Sequence, residues 1–175
     1  VSETVATAGA SASSATTTTF TRLYRAYVSE SGTYATLAAG SHAGDIVIEN
    51  SGGGTDWATI SATDFPSSQT EIGAYSIAAG KTGYIQLRDC TIDSGKTVDL
   101  IFFARSNIDD AAAPYSAMRA QSVVKGLEGG TIQSFGGTVV PFGPYTGPTD
   151  VGFMAKTTAG TADVSVEFEI FILDE

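Results

Sequence analysis

Apolar and polar residues alternate along much of this chain, which is the pattern of half-buried β-strands. The most regular stretch is the last. There Val164, Val166, Phe168, Ile170 and Ile172 fall on one face, and Ser165, Glu167 and Glu169 on the other. Phe171 and Leu173 break the polar face, so a loop or another subunit is expected to cover the strand's end. Between residues 80 and 106, two runs rich in aliphatic, aromatic and β-branched residues flank Asp93-Ser94-Gly95-Lys96. Asp93 and Ser94 can fold onto local backbone and Gly95 can take a positive φ, so the segment reads as a β-hairpin. Period two puts Ile85, Leu87, Asp89 and Thr91 on one face of its first strand, and Tyr84, Gln86, Arg88 and Cys90 on the other. The unbroken apolar run 100–103 predicts that the second strand is covered on both faces.

Weaker alternation predicts strands at 20–28, 33–39, 45–49, 57–62, 69–77, 115–124, 131–135 and 138–140. Residues 151–157 and 163–173 read as a second hairpin through Thr158-Ala159-Gly160-Thr161. Residues 107–113 read as a loop, and 141–148 as an aromatic loop rich in Pro and Gly. The pattern predicts about eight to ten strands and no helix, which leaves a sandwich, a jelly roll or a barrel. The long, fully patterned last strand favours an antiparallel, jelly-roll-like β-sandwich. Its expected extent is residues 20–175, preceded by an extended N-terminal arm over 1–19. Fifteen of those first nineteen residues are Ala, Ser or Thr. Such a segment cannot offset its own ordering cost, so it stays disordered or orders on a neighbouring subunit. The second reading is favoured.

Composition narrows the function classes. A chain of 175 residues can bury a real core. Its net charge is −10, which repels phosphate backbones and argues against nucleic acid as a partner. No apolar run approaches a membrane span, and no signal peptide pattern is present, so no membrane is expected. The single cysteine, Cys90, forbids an intrachain disulfide and reads as a core residue.

Candidate chemistry is thin. The one histidine, His42, lies in a Ser-His-Ala-Gly loop, with no Gly-x-Ser-x-Gly elbow to supply a nucleophile. One His and one Cys cannot make the usual zinc site. Glu167 and Glu169 are close enough to couple but read as a solvated strand face. Asp109-Asp110 lacks the surrounding pattern of a calcium loop. Gly80-Lys81-Thr82 lacks the upstream glycine of a phosphate loop, since Tyr75 stands there. No enzyme activity, catalytic residue, metal or cofactor is expected. Trp57, Tyr115, Phe142 and Tyr145 sit in or near loops, where aromatic rings stack on sugars or plug interfaces between subunits; interfaces are favoured.

Three stretches carry a family resemblance. They are Ile77-Ala-Ala-Gly-Lys-Thr-Gly-Tyr-Ile, Asp93-Ser-Gly-Lys-Thr-Val-Asp-Leu and Thr161-Ala-Asp-Val-Ser-Val-Glu-Phe-Glu. Together they resemble small β-sandwich virion proteins of tailed bacteriophages, especially marine ones, over residues 72–174. The motifs are turns and strand edges and transfer no catalytic residue. The Ala/Ser/Thr-rich segment is similar to the capsid-clamping arms of phage decoration (cement) proteins, which are commonly trimers. The resemblance implies a homotrimer bound to the major capsid protein on the outer surface of the virion. A carbohydrate- or receptor-binding module, or a tail, neck or fibre component, remains the alternative.

Overall fold

The computed structural model describes residues 2–20, 22–30, 42–63, 68–110, 112–130, 133–134 and 141–174. The strands expected at 33–39 and 138–140 lie outside these residues, as does most of 131–135. The chain divides into two compact units, Val1–Ile72 and Gly73–Glu175.

The first unit contains one antiparallel ribbon, β1 (Ile46–Glu49) and β2 (Asp56–Ile60), with Ile46 opposite Ile60. Residues 2–19 double back on themselves. The Glu3 carboxylate accepts hydrogen bonds from the Thr17 N–H at 2.7 Å and the Thr18 N–H at 2.8 Å. A tight turn joins Ala8 to Ser11 inside that loop. The strand expected at 20–28 is not formed; its described residues make a single bridge, Tyr27 to Gln69. Local alternation there lacks a long partner, and a strand without a neighbour has no ladder to hold it.

The second unit contains β3 (Ala74–Ile77), β4 (Lys81–Ile92), β5 (Thr97–Ser106) and β6 (Arg119–Glu128). They are followed by β7 (Gln133–Ser134), β8 (Phe142–Thr146), β9 (Thr149–Thr157) and β10 (Val164–Asp174). One sheet has the order β3-β9-β5-β6; the other has β10-β4-β7, with β8 also on β4. All pairings are antiparallel. Among the described residues the fold is therefore all-β, an antiparallel sandwich without a helix.

Neither expected hairpin exists. β4 and β5 lie in different sheets, and so do β9 and β10. The turns 93–96 and 158–163 are arches that carry the chain from one sheet to the other. β3 to β4, β6 to β7, and β8 to β9 cross in the same way. Only β5 to β6 and β7 to β8 stay in one sheet. The turn chemistry of Asp-Ser-Gly-Lys suits a reversal of direction. It does not dictate which strand lies alongside afterwards.

Segment 141–148, expected as a loop, supplies β8, which pairs with β4 through Thr146–Thr82 and Tyr145–Gly83. The expected face assignment in β4 also fails halfway. Phe168 pairs with Leu87 but Glu167 pairs with Asp89, so Arg88 is an extra residue in a bulge. The bulge resets the period, and Cys90 and Ile92 join Ile85 and Leu87 inside the sandwich.

Residues from both sheets form one core. Ile77, Ile85, Cys90, Val98, Leu100 and Val151 are fully buried. Each large aliphatic side chain among them contributes about 1.5–3 kcal/mol relative to exposure. A chain of rings links the two layers. Phe102 of β5 lies 5.2 Å from Phe142 of β8 and 5.1 Å from Phe153 of β9, centroid to centroid. Phe153 in turn lies 5.3 Å from Phe168 of β10. The doubly covered strand expected around 100–103 is present, with Phe102 and Phe103 both buried.

Candidate interaction surface

In the first unit, Trp57 and Thr59 share one face of the ribbon by their alternation along β2, and Ser61 follows just past its end. With Asp45 and Glu71 they line an open cleft of about 400 Å³. Trp57 is 43% exposed as a residue. The Asp45 carboxylate accepts the Ala62 N–H at 2.9 Å, which fixes one wall. His42 lies beside this ribbon with Nε2 3.2 Å from the Ile60 carbonyl oxygen. A hydrogen bond there places the ring proton on Nε2, and the ring then acts as a tether at the strand end.

In the second unit, the outer face of β10 and β4 divides into two zones. Glu167 stands opposite Asp89, and Glu169 opposite Gln86. Further along, Phe171 stands opposite Tyr84, and Leu173 opposite Thr82. The first zone is acidic and the second apolar. Phe171 and Leu173 are about half exposed, with no covering loop among the described residues. Lys81 and Asp174 close the end of the strand pair with an ion pair. Lys81 holds the Asp174 carboxyl below the usual carboxylate range through that hydrogen bond and its charge.

The remaining aromatic candidates separate. Tyr115 is exposed. Phe142 and Tyr145 belong to β8, and each sets its ring against Phe102, at 5.2 and 5.8 Å. Burial pushes the Tyr145 phenol above its ordinary value. Tyr145 is therefore packed against the core, whereas Phe142 touches Phe102 but stays exposed.

Cys90 is wholly buried, and that burial raises its thiol pKa. Asp109 and Asp110 are exposed beyond β5. Among the described residues, no three His, Cys, Asp or Glu come together as a metal site.

One polar feature escaped the sequence reading. Asp150 of β9 is buried, accepts the Ser76 hydroxyl at 2.5 Å, and stands opposite Arg105 in the ladder. A single Asp within an apolar strand gives no sign in sequence of being buried, because the signal is the neighbour 74 positions away.

The surfaces offer an exposed tryptophan at a carboxylate-lined cleft, an acidic strand face, an apolar strand end and a looped N-terminal segment. No protein-family model, curated protein or solved structure matches this chain.

Proposed function

We propose that this chain is a non-enzymatic structural protein that acts through surface contact, of the capsid decoration (cement) type. In this reading it sits on the outer surface of a phage head as a homotrimer and ties neighbouring major capsid proteins together. The observation that carries the proposal is the N-terminal segment. Every residue from 4 to 17 is exposed, and the loop is closed by the Glu3 carboxylate on Thr17 and Thr18. A segment with so little burial of its own has contacts to gain on a partner. Ordering it costs roughly 1–2 kcal/mol per residue, so its host must supply strand pairing or apolar contact in return. The order β3-β9-β5-β6 over β10-β4-β7, with successive strands crossing between sheets, supports a jelly-roll-like arrangement. The sequence resemblance to phage virion proteins supports the particle assignment.

The test is copy number in purified particles, by quantitative protein analysis against the major capsid protein. Hundreds of copies are expected. A handful would move the protein to a tail or vertex, and absence would end the virion reading. Deleting residues 1–19 is expected to leave the sandwich folded and to abolish attachment.

The Trp57 cleft favours a second reading, carbohydrate or receptor binding. An exposed tryptophan beside Asp45, Glu71, Thr59 and Ser61 joins a stacking platform to hydrogen-bonding groups suited to a sugar. A glycan array on the full chain tests it. The expected result is binding that Trp57→Ala abolishes, and an array without a binder would dismiss it.

A further inference from the structure

We propose that the outer edge of β10 accepts a β-strand from a basic partner protein, which completes the sandwich. The proposal rests on the surface-contact reading above and names the chemistry of the partner.

The first argument is the unequal width of the two sheets. The sheet β3-β9-β5-β6 is four strands wide. Among the described residues the facing sheet is three lanes wide, because β7 and β8 both lie along the same edge of β4. β7 pairs with Asp89 and Cys90, and β8 with Thr82, Gly83 and Ile85. β10 takes the other edge of β4 along its full length, from Val164–Ile92 to Asp174–Lys81. Among the described residues nothing pairs with the far side of β10. In an antiparallel edge strand, about half the backbone N–H and C=O groups point to that side.

The second argument is the state of the core beneath. On β4 the inward side chains Ile85, Leu87, Cys90 and Ile92 are all buried. On β10 the inward side chains Val164, Val166, Phe168 and Ile170 are only half-buried, and Ile172 is exposed. Burial falls away at this edge, as it does where a covering strand is missing.

The third argument is protection of the other edges. β3 has four residues and β7 has two. β6 is broken by two register shifts against β5 and by Gly126 at φ 69°. β10 has eleven residues and contains no Pro, Gly or Lys. Natural edges are guarded by those residues, by bulges or by shortness. β10 is long, unbulged and without Pro or Lys, and its only such guard is charge, from Glu167 and Glu169, which opposes acidic strands and leaves the edge a template for a basic one.

Charge selects the occupant. The outward face of β10 carries Glu167 and Glu169, and Asp89 stands beside Glu167. A second copy paired antiparallel over the whole strand would set Glu169 against its own counterpart, and the chain already carries a net −10. Like charges directly opposite destabilise a ladder. A partner strand with Lys or Arg opposite these carboxylates, and apolar residues over Phe168 and Ile170, satisfies both faces.

The probe is a blocked nine-residue peptide of alternating valine and lysine, titrated into the isotope-labelled full chain. Controls are the same composition broken by a central proline, and an alternating valine and glutamate peptide. The lysine peptide is expected to shift and protect the outward amides of β10. Glu167→Lys with Glu169→Lys is expected to weaken it by about tenfold or more and to confer binding of the glutamate peptide. Absence of lysine-peptide binding, or binding unchanged in the double variant, would overturn the proposal. So would β10 amides already protected in dilute protein, or protection that rises with protein concentration as a dimer forms. Copy number on particles is a separate readout, so failure of the edge and failure of the decoration reading are told apart.

Discussion

Asp93 and Asp163 grip each other from two arches that cross the sandwich at the same end. The Asp93 N–H donates to the Asp163 carbonyl at 3.2 Å, and the Asp93 carboxylate accepts the Asp163 N–H at 3.1 Å. The β4–β5 and β9–β10 connections are thus fastened together. Asp93→Ala removes the side-chain half of the clasp and is expected to cost about 0.5–1.5 kcal/mol. Asp93→Asn keeps an acceptor and should cost less. Urea unfolding of the three proteins checks the order.

The same end of the sandwich leaves no room beside Asp93. A Cβ on Gly129 would overlap the Asp93 carbonyl oxygen, and the Gly129 N–H already donates to the Lys96 carbonyl at 2.8 Å. Backbone must move to admit even a methyl group, and overpacking of this kind typically costs about 1–3 kcal/mol. Gly129→Ala is therefore expected to destabilise more than Asp93→Ala, read as a lower urea midpoint.

Phe102 is the hub of the ring chain between the sheets and is 2% exposed. Phe102→Ala removes its contacts with Phe142, Tyr145 and Phe153 together. The expected loss is about 3–5 kcal/mol, and Phe102→Leu should lose less because more of the volume is kept. Thermal unfolding distinguishes them.

The N-terminal loop should open in acid. The Thr17 and Thr18 N–H groups hold the Glu3 carboxyl down at about 2, below its ordinary 4.5. A depressed carboxyl stabilises the closed loop fully above 4.5, and the effect is lost as pH falls through about 2. The Thr17 and Thr18 amide resonances should therefore titrate with a midpoint near 2, well below 4.5. Glu3→Ala should leave both amides exchanging freely at neutral pH, while Glu3→Gln, which keeps one acceptor, should protect them only in part.

Cys90 gives the opposite sign. Burial raises its thiol above the ordinary 9.0, so the folded state resists its ionisation. The contribution is intact below 9.0 and erodes as pH rises beyond it, because the unfolded chain then binds fewer protons. A thiol reagent at neutral pH should modify Cys90 only at the rate of unfolding, and at once in denaturant.

The strands of this chain were far more legible than their partners. β10 was readable residue by residue, because Val164 to Glu169 alternate without a break and the burial follows them. The ends of β1 and β2 were also close. What alternation cannot carry is pairing: Asp93-Ser94-Gly95-Lys96 has the same local chemistry in a hairpin and in an arch. The difference lies in β10 arriving beside β4, far along the chain. Arg88 shows a second limit: Cys90 was rightly read as a core residue, but period two set it on the face opposite Ile85 and Leu87, and one inserted residue brings it onto theirs. Of the candidate surfaces, Trp57 was singled out correctly as an exposed aromatic residue. Phe142 is likewise exposed, but it and Tyr145 belong to a strand rather than a loop, and Tyr145 is half-buried, because a Pro- and Gly-rich segment hid β8. The open edge of β10 and the buried Asp150 had no sequence signal, since both depend on what lies alongside.

The crossing connections also fix how the second unit must fold. Lys81 meets Asp174 across 93 positions of sequence, and even the nearest β4–β10 pair, Ile92 with Val164, is 72 positions apart. Without a local hairpin at either arch, few native contacts in these strands are close in sequence. Such a topology has a high contact order, and its folding is slow compared with a helical domain of similar size. During synthesis β4 stays without its longest neighbour until residues 164–174 have left the ribosome. The last strand is therefore the step that commits the sandwich, and removing it would strip β4 of its longest neighbour and leave that sheet unfinished.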